Sequence, residues 1–287
     1  MKEPHFFSRH DLRNVPDGEL EQVVRAQYLE RYFEGATEDQ VLGEASVSYL
    51  YAPERVMPAR KMWPDAKFII SVRNPLQMLP SLHLRHLHNG DECERDFERA
   101  WKLTEERRRG KRVPRSCIDP RLLDYQEIGQ LGKHLKRFLD FFGREQCTVS
   151  VFDDLRADPA REYRRILGFL GLADDGREDF SVHRPSKQVR STHVQRLLRR
   201  PPAFVRDRLV ADAESYRRGN ERKEGRLFAT VKAARATVLR WNQVESAPGE
   251  LSPEIANELR EFFRSDVALL SQLLGRDLSH WLGAPGS

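Results

Sequence analysis

The stretch Lys67-Phe-Ile-Ile-Ser-Val-Arg73-Asn-Pro75, followed by Ser81 and then His83, decides the fold. Phe68 to Val72 is a short, apolar, β-branched run, which predicts a strand covered on both faces, as in a parallel sheet. Pro75 ends that pattern, and helical spacing resumes with Leu76, Leu79, Leu82, Leu84 and Leu87. Arg73 is thereby expected at the carboxyl end of a strand, where open α/β sheets hold their ligands. An arginine offers a planar fork of donors to a pair of phosphate oxygens, and Ser81 on the next helix adds a neutral donor.

Outward from this stretch, helical patterns run over Glu19 to Tyr32, Phe97 to Arg109 and Ile128 to Phe142. The last is the clearest, with Ile128, Leu131, Leu135, Phe138, Leu139 and Phe142 at helical spacing and Gly143 as its stop. A second strand follows over Cys147 to Phe152. Asp158-Pro159 then opens a helix as cap and first residue, and Gly171 ends it. A final helix spans about Pro253 to Leu274, with a polar stretch Arg217 to Gly225 ahead of it.

The 287 residues are 39% hydrophobic and 32% charged, enough for a globular core, and no run of eighteen apolar residues suggests a membrane span. Cys93, Cys117 and Cys147 are odd in number and lack metal-type spacing, so a reducing cytoplasm is expected. The formal net charge is +5, and from Arg184 to Arg240 there are 16 Lys or Arg against 5 Asp or Glu. Such an excess attracts anions, whether a nucleotide, a nucleic acid or an acidic surface. Interleaved aromatics are few there (Phe204, Tyr216, Phe228), which argues against a stacking platform for single strands. His83, His86 and His88 stand without a carboxylate–cysteine constellation beside them, so no zinc site is read from them.

Four further stretches stand in order around the opening one: Lys2-Glu-Pro-His-Phe-Phe7, Gly43-Glu-Ala-Ser-Val-Ser-Tyr-Leu-Tyr51, Cys147 to Leu155 with Asp158-Pro159 and Ile166 to Leu172, and Ser186-Lys-Gln-Val-Arg190. Together with Arg73-Asn-Pro and Ser81 they resemble, over residues 1 to about 200, the PAPS-dependent sulfotransferases of bacterial, carbohydrate or heparan type. PAPS is 3'-phosphoadenosine 5'-phosphosulfate. The resemblance implies an α/β fold of three layers, P-loop-NTPase-like, with a mostly parallel central sheet, in a single domain 1–287 whose basic helical C-terminal extension covers about 201–287. It implies sulfuryl transfer from PAPS to a hydroxyl or amine of a small-molecule or carbohydrate acceptor, with no metal required. Arg73 and Ser81 would hold the cofactor's 3'-phosphate, and Lys187 and Arg190 would lie on a basic loop closing over the nucleotide.

On the acceptor side Glu3 is the first candidate base. His5, two positions on, would orient the acceptor or be the base itself, and Glu44 is the second carboxylate. Glu3 and His5 also suit an ordinary frayed terminus, and Glu44 a loop cap. Departures from the family pattern are Ala45 where a lysine is frequent, Gln188 and Val189 where glycine is frequent, and Met78-Leu79-Pro80 before the serine.

The glycine-rich, Lys-containing loop that cradles the 5'-phosphosulfate in this family is not found in the sequence; Gly110-Lys111 has the wrong context. The expectation is a start that lies upstream, a fragment, or a lost loop, with the first strand also missing. Its neighbours would then expose apolar faces, leaving the chain poorly stable, inactive or both. A non-catalytic nucleotide- or partner-binding remnant and, with less support, a basic nucleic-acid-binding protein are the alternatives.

Overall fold

The computed structural model describes residues 3–37, 39–181, 187–199, 233–245 and 249–283. The chain divides into two compact units, one of Met1–Asn74, Gln130–Phe180 and Phe263–Ser287, the other of Pro75–Gly129 and Ser181–Phe262.

The first unit holds the expected parallel pair. β1 (Phe68–Val72) and β2 (Cys147–Val151) run in register from Phe68↔Cys147 to Val72↔Val151. Parallel strands need a long crossover, and more than seventy residues separate these two. Ile70 and Val72 turn into the core, and the Phe68 ring packs on Phe138 and Phe142 at 5.2 and 4.4 Å between centroids. The other face departs from the expected double cover: Ile69 is 45% exposed and Ser71 is exposed, because the helices of this unit cover only the Ile70–Val72 side.

Helix Leu131–Phe142 buries Leu131, Leu135, Phe138 and Phe142, a single stripe at helical spacing. It begins three residues later than the periodicity predicts, since Ile128 closes a separate turn, Tyr125–Ile128. The start is fixed from afar. The Asp266 carboxylate, on helix Pro253–Leu274, accepts the N–H groups of Gly132 and Lys133, each at 2.8 Å. The two backbones are so close there that a Cβ on Gly132 would lie 2.4 Å from the Asp266 carbonyl oxygen.

Helix Pro159–Leu170 is capped as predicted, with Asp158 accepting the Arg161 N–H at 2.9 Å and Gly171 at φ 74°. The Glu19–Tyr32 pattern is helical from Asp17 to Tyr32, with a π turn at Arg25–Leu29. Its Tyr28 sits among Phe6, Phe7 and Trp63, at 5.0, 5.3 and 6.3 Å between ring centroids.

In the second unit, helix Pro75–Asn89 follows β1 directly in the chain and carries Pro80 internally. The predicted helix Phe97–Arg109 is two, Phe97–Lys102 and Thr104–Arg108, with Asp96 capping the first. Arg107 is turned inward rather than solvated. Its guanidinium forms a bidentate pair with Glu92 at 2.8 and 2.9 Å, and the Tyr125 hydroxyl donates to the same carboxylate at 3.0 Å.

β3 (Lys187–Val189) pairs antiparallel with β4 (Gln243–Glu245), and Val189 packs on Leu84 and Leu87 of helix Pro75–Asn89. Residues 201–232 of the predicted basic extension, Arg217 to Gly225 among them, lie outside the described residues. Among the described residues no helix is long and apolar enough to cross a membrane.

Candidate active site

Three of the predicted site residues, Glu3, His5 and Glu44, lie in the first unit. The segment carrying Glu3 and His5 is anchored by Phe6 and Phe7, which are 1% and 2% exposed, so it is no frayed terminus. His5 itself is left-handed, at φ 53° and ψ 29°, an uncommon state for a residue with a Cβ. It is held there by three serines. The His5 N–H donates to Ser46 Oγ at 2.9 Å, His5 Nδ1 meets Ser48 Oγ at 2.7 Å, and Ser8 Oγ donates to the His5 carbonyl at 3.1 Å. The other ring nitrogen, Nε2, lies 3.4 Å from Glu3 Oε2. A carboxylate and an imidazole are thus in contact at the edge of a serine cluster.

Glu44 joins this group through its neighbours. Ser46 and Ser48 follow it on the same loop, and the Tyr49 hydroxyl accepts the Phe7 N–H at 3.3 Å. Burial pushes the Glu44 carboxyl up, an effect partly offset by the approach of Tyr49, Tyr28 and Ser46. Tyr28 and Tyr49 are themselves raised by burial, with the Glu44 charge adding to it, so both phenols stay protonated. Neither Glu44 oxygen closes a hydrogen bond among the described residues. The enclosed carboxyl thus has Tyr28, Tyr49 and Ser46 within reach as donors, without a well-aligned bond to any of them.

Arg73 stands at the carboxyl end of β1, as the motif requires. Because β1 and β2 are parallel and in register, Phe152 comes next to it, and the guanidinium lies 4.4 Å from the centre of the Phe152 ring. Burial lowers the Arg73 pKa, repulsion from Arg156 lowers it further, and Asp153 raises it. Two cations close enough to repel at a strand terminus are a setting that an anion relieves. Asp153 is engaged elsewhere, accepting from Trp281 Nε1 at 2.6 Å, and Asn74 Nδ2 donates to the Trp281 carbonyl at 3.1 Å.

Ser81, Lys187 and Arg190 belong to the second unit. Ser81 is half-buried on helix Pro75–Asn89. The Lys187–Arg190 segment, expected as a loop, begins as strand β3, because Gln243–Glu245 supplies it with a partner far along the chain. Its packing on Leu84 and Leu87 keeps it on the helix that carries Ser81. Arg190 is exposed, with its guanidinium 5.6 Å from the centre of the Trp241 ring and its N–H on the Asn242 carbonyl at 2.8 Å. The Lys187 side chain lies outside the described residues.

Sequence reasoning passed over Ser8, Ser46, Ser48, Tyr28 and Tyr49 as site residues. Ser46, Ser48 and Tyr49 lay inside the quoted Gly43–Tyr51 stretch, and a hydroxyl-rich run beside a glutamate was the available signal. Arg156 and Trp241 carried no such signal, since only the folded chain brings them to Arg73 and Arg190.

A search of curated proteins returned no match. Among solved structures, a sulfotransferase from Alicyclobacillus acidocaldarius is similar, with a TM-score of 0.60 and 26% identity, over 98% of this chain and 86% of that one. Its fold is the mixed α/β arrangement with a parallel sheet described above. The family model described as "Sulfotransferase domain" matches residues 11–207, more than half of the 287. The chain therefore belongs to the sulfotransferase family.

Proposed function

We propose that the chain transfers a sulfuryl group from PAPS to a hydroxyl or amine of a small-molecule or carbohydrate acceptor. The observation that carries this reading is the contact of Glu3 with His5, which Ser46 and Ser48 tie to the loop bearing Glu44 some forty residues along, in a family whose chemistry needs a base on the acceptor. The acceptor oxygen or nitrogen attacks sulfur in line. Its proton passes to the Glu3–His5 pair, the bond from sulfur to the 5'-phosphate oxygen breaks, and adenosine 3',5'-bisphosphate leaves with that electron pair. Glu44 accepts a hydrogen bond from the acceptor and orients it.

Arg73, backed by the Phe152 ring and beside Arg156, supports the assignment of the cofactor's 3'-phosphate to this strand end, with Ser81 as the second donor. Lys187 and Arg190 are assigned to the nucleotide as well. The unpaired state of Cys93, Cys117 and Cys147 accords with a reducing, cytoplasmic setting.

The test is transfer of radiolabelled sulfuryl from PAPS into pooled hydroxyl- and amine-bearing acceptors, including oligosaccharides. The reading expects labelled product with the wild type, and a fall on the order of 100-fold or more with Glu3→Gln or His5→Ala, as loss of a general base produces. Product formation unchanged in both variants would remove Glu3 and His5 from the mechanism.

A further inference from the structure

The serine cluster under His5 contains more than packing requires. Ser48 Oγ is 2.7 Å from His5 Nδ1 and 2.6 Å from Ser8 Oγ, and Ser8 Oγ is 3.1 Å from the His5 carbonyl oxygen. Each hydroxyl has one proton to give. The carbonyl can only accept, so the Ser8 proton goes to it. Ser48 then donates to Ser8 Oγ, and His5 Nδ1 must be the donor to Ser48. All three contacts are satisfied only in this direction, and they close a ring that starts and ends on His5. The opposite direction, with Ser48 donating to Nδ1, leaves the Ser8–carbonyl contact without a proton.

We propose that Ser48, backed by Ser8, is a positioning residue that keeps the His5 proton on Nδ1. Any proton that His5 exchanges with the substrate then passes through Nε2, the nitrogen facing Glu3 at 3.4 Å. This rests on the reading that His5 serves sulfuryl transfer. During the reaction the acceptor proton arrives at Nε2 or the Glu3 carboxylate, while the sulfur–acceptor bond forms and the sulfur–phosphate oxygen bond breaks. The imidazolium that results donates from Nδ1 to Ser48 and is ion-paired through Nε2 with Glu3. Without Ser48 the neutral ring is free to carry its proton on Nε2, which blocks that nitrogen as an acceptor.

The left-handed backbone of His5 fits this role. The Ser46 Oγ contact to its N–H fixes the main chain from the same loop that presents Ser48, so ring and backbone are held by one segment. Ser48 touches neither Glu3 nor the Glu44 oxygens by hydrogen bond, which separates its effect from theirs.

The experiment is nitrogen-15 NMR of the His5 ring in the full chain, titrated with pH, for wild type, Ser48→Ala, Ser8→Ala and Ser48→Thr. The neutral ring is expected to hold its proton on Nδ1 in the wild type and in Ser48→Thr, and to shift it to Nε2 in Ser48→Ala and Ser8→Ala. With PAPS and an acceptor, kcat should fall about 10- to 100-fold in Ser48→Ala with KM little changed, and recover in Ser48→Thr, the scale seen when a partner that orients a histidine is lost. A wild-type ring protonated on Nε2, or a tautomer indifferent to Ser48→Ala, overturns the proposal whether or not the chain transfers sulfuryl. The stated tautomer in a folded wild type that transfers nothing would instead refute the function assigned to His5.

Discussion

His86 provides a stability prediction with a defined sign and size. It lies on helix Pro75–Asn89 at 4% exposure, and neither ring nitrogen has a hydrogen-bond partner among the described residues. Burial lowers its pKa from 6.5 to about 4, with repulsion from Arg85 adding to the effect and Glu92 opposing it. The folded state therefore keeps the ring neutral where the unfolded chain protonates it. Stability from this group is full above pH 6.5 and is lost as pH falls toward 4. A depression of that size corresponds to about 3 kcal/mol in total, of which about 2 kcal/mol is gone by pH 5. His83, also lowered by burial, acts with the same sign.

His86→Leu removes the titrating group while keeping an apolar side chain of similar reach. Urea unfolding of both proteins at pH 7.5, 6 and 5, followed by fluorescence, isolates the term from the carboxylates that titrate in both. The wild type should lose about 2 kcal/mol more than the variant between the extremes. Parallel loss in the two proteins would refute the reasoning and mean that His86 is solvated or paired in solution.

Glu44 carries the opposite sign. Its carboxyl is raised, so its contribution is most favourable below 4.5 and is lost as pH rises through its folded value. Glu44→Gln should therefore raise Tm at pH 8 and not at pH 4, while sulfuryl transfer falls; a lower Tm at pH 8 would contradict the buried anion. Gly132→Ala should lose about 1–3 kcal/mol by overpacking, because the new Cβ meets the Asp266 backbone and not a movable side chain. A rise in Tm, as helix propensity alone would give, would show that the helices Leu131–Phe142 and Pro253–Leu274 are not in contact at that point.

Local chemistry was legible in the sequence and distant partnership was not. Helix Pro253–Leu274 matches its periodicity to the residue, and the Asp158-Pro159 start and the Gly171 stop follow from capping rules that need no tertiary information. The start of Leu131–Phe142 was misplaced because its cap, Asp266, lies far along the chain. Arg107, inside the Phe97 to Arg109 helical pattern, gave no sign of its burial, which Glu92 and Tyr125 make possible by bonding it from other segments. The Lys187–Val189 strand was missed for the same reason: its partner is Gln243–Glu245.

At the site, Glu3, His5, Glu44 and Arg73 were marked by motif. The serines that hold His5 were not marked, because a serine's role depends on which proton it is asked to carry. The open face of β1 was predicted covered from its apolar run. Composition alone cannot tell a strand covered on two faces from one covered on a single face.

The most direct measurement is calorimetric binding of adenosine 3',5'-bisphosphate, with adenosine 5'-monophosphate as control, to the wild type and to Arg73→Ala. The wild type should bind the 3'-phosphorylated nucleotide and discriminate against the control. Arg73→Ala should lose about 10- to 100-fold in affinity for the first and little for the second, as expected for a charged hydrogen-bonding pair. Equal binding of both nucleotides, or an affinity unchanged in a folded Arg73→Ala, would contradict the assignment of Arg73 to the 3'-phosphate and with it the proposed use of PAPS.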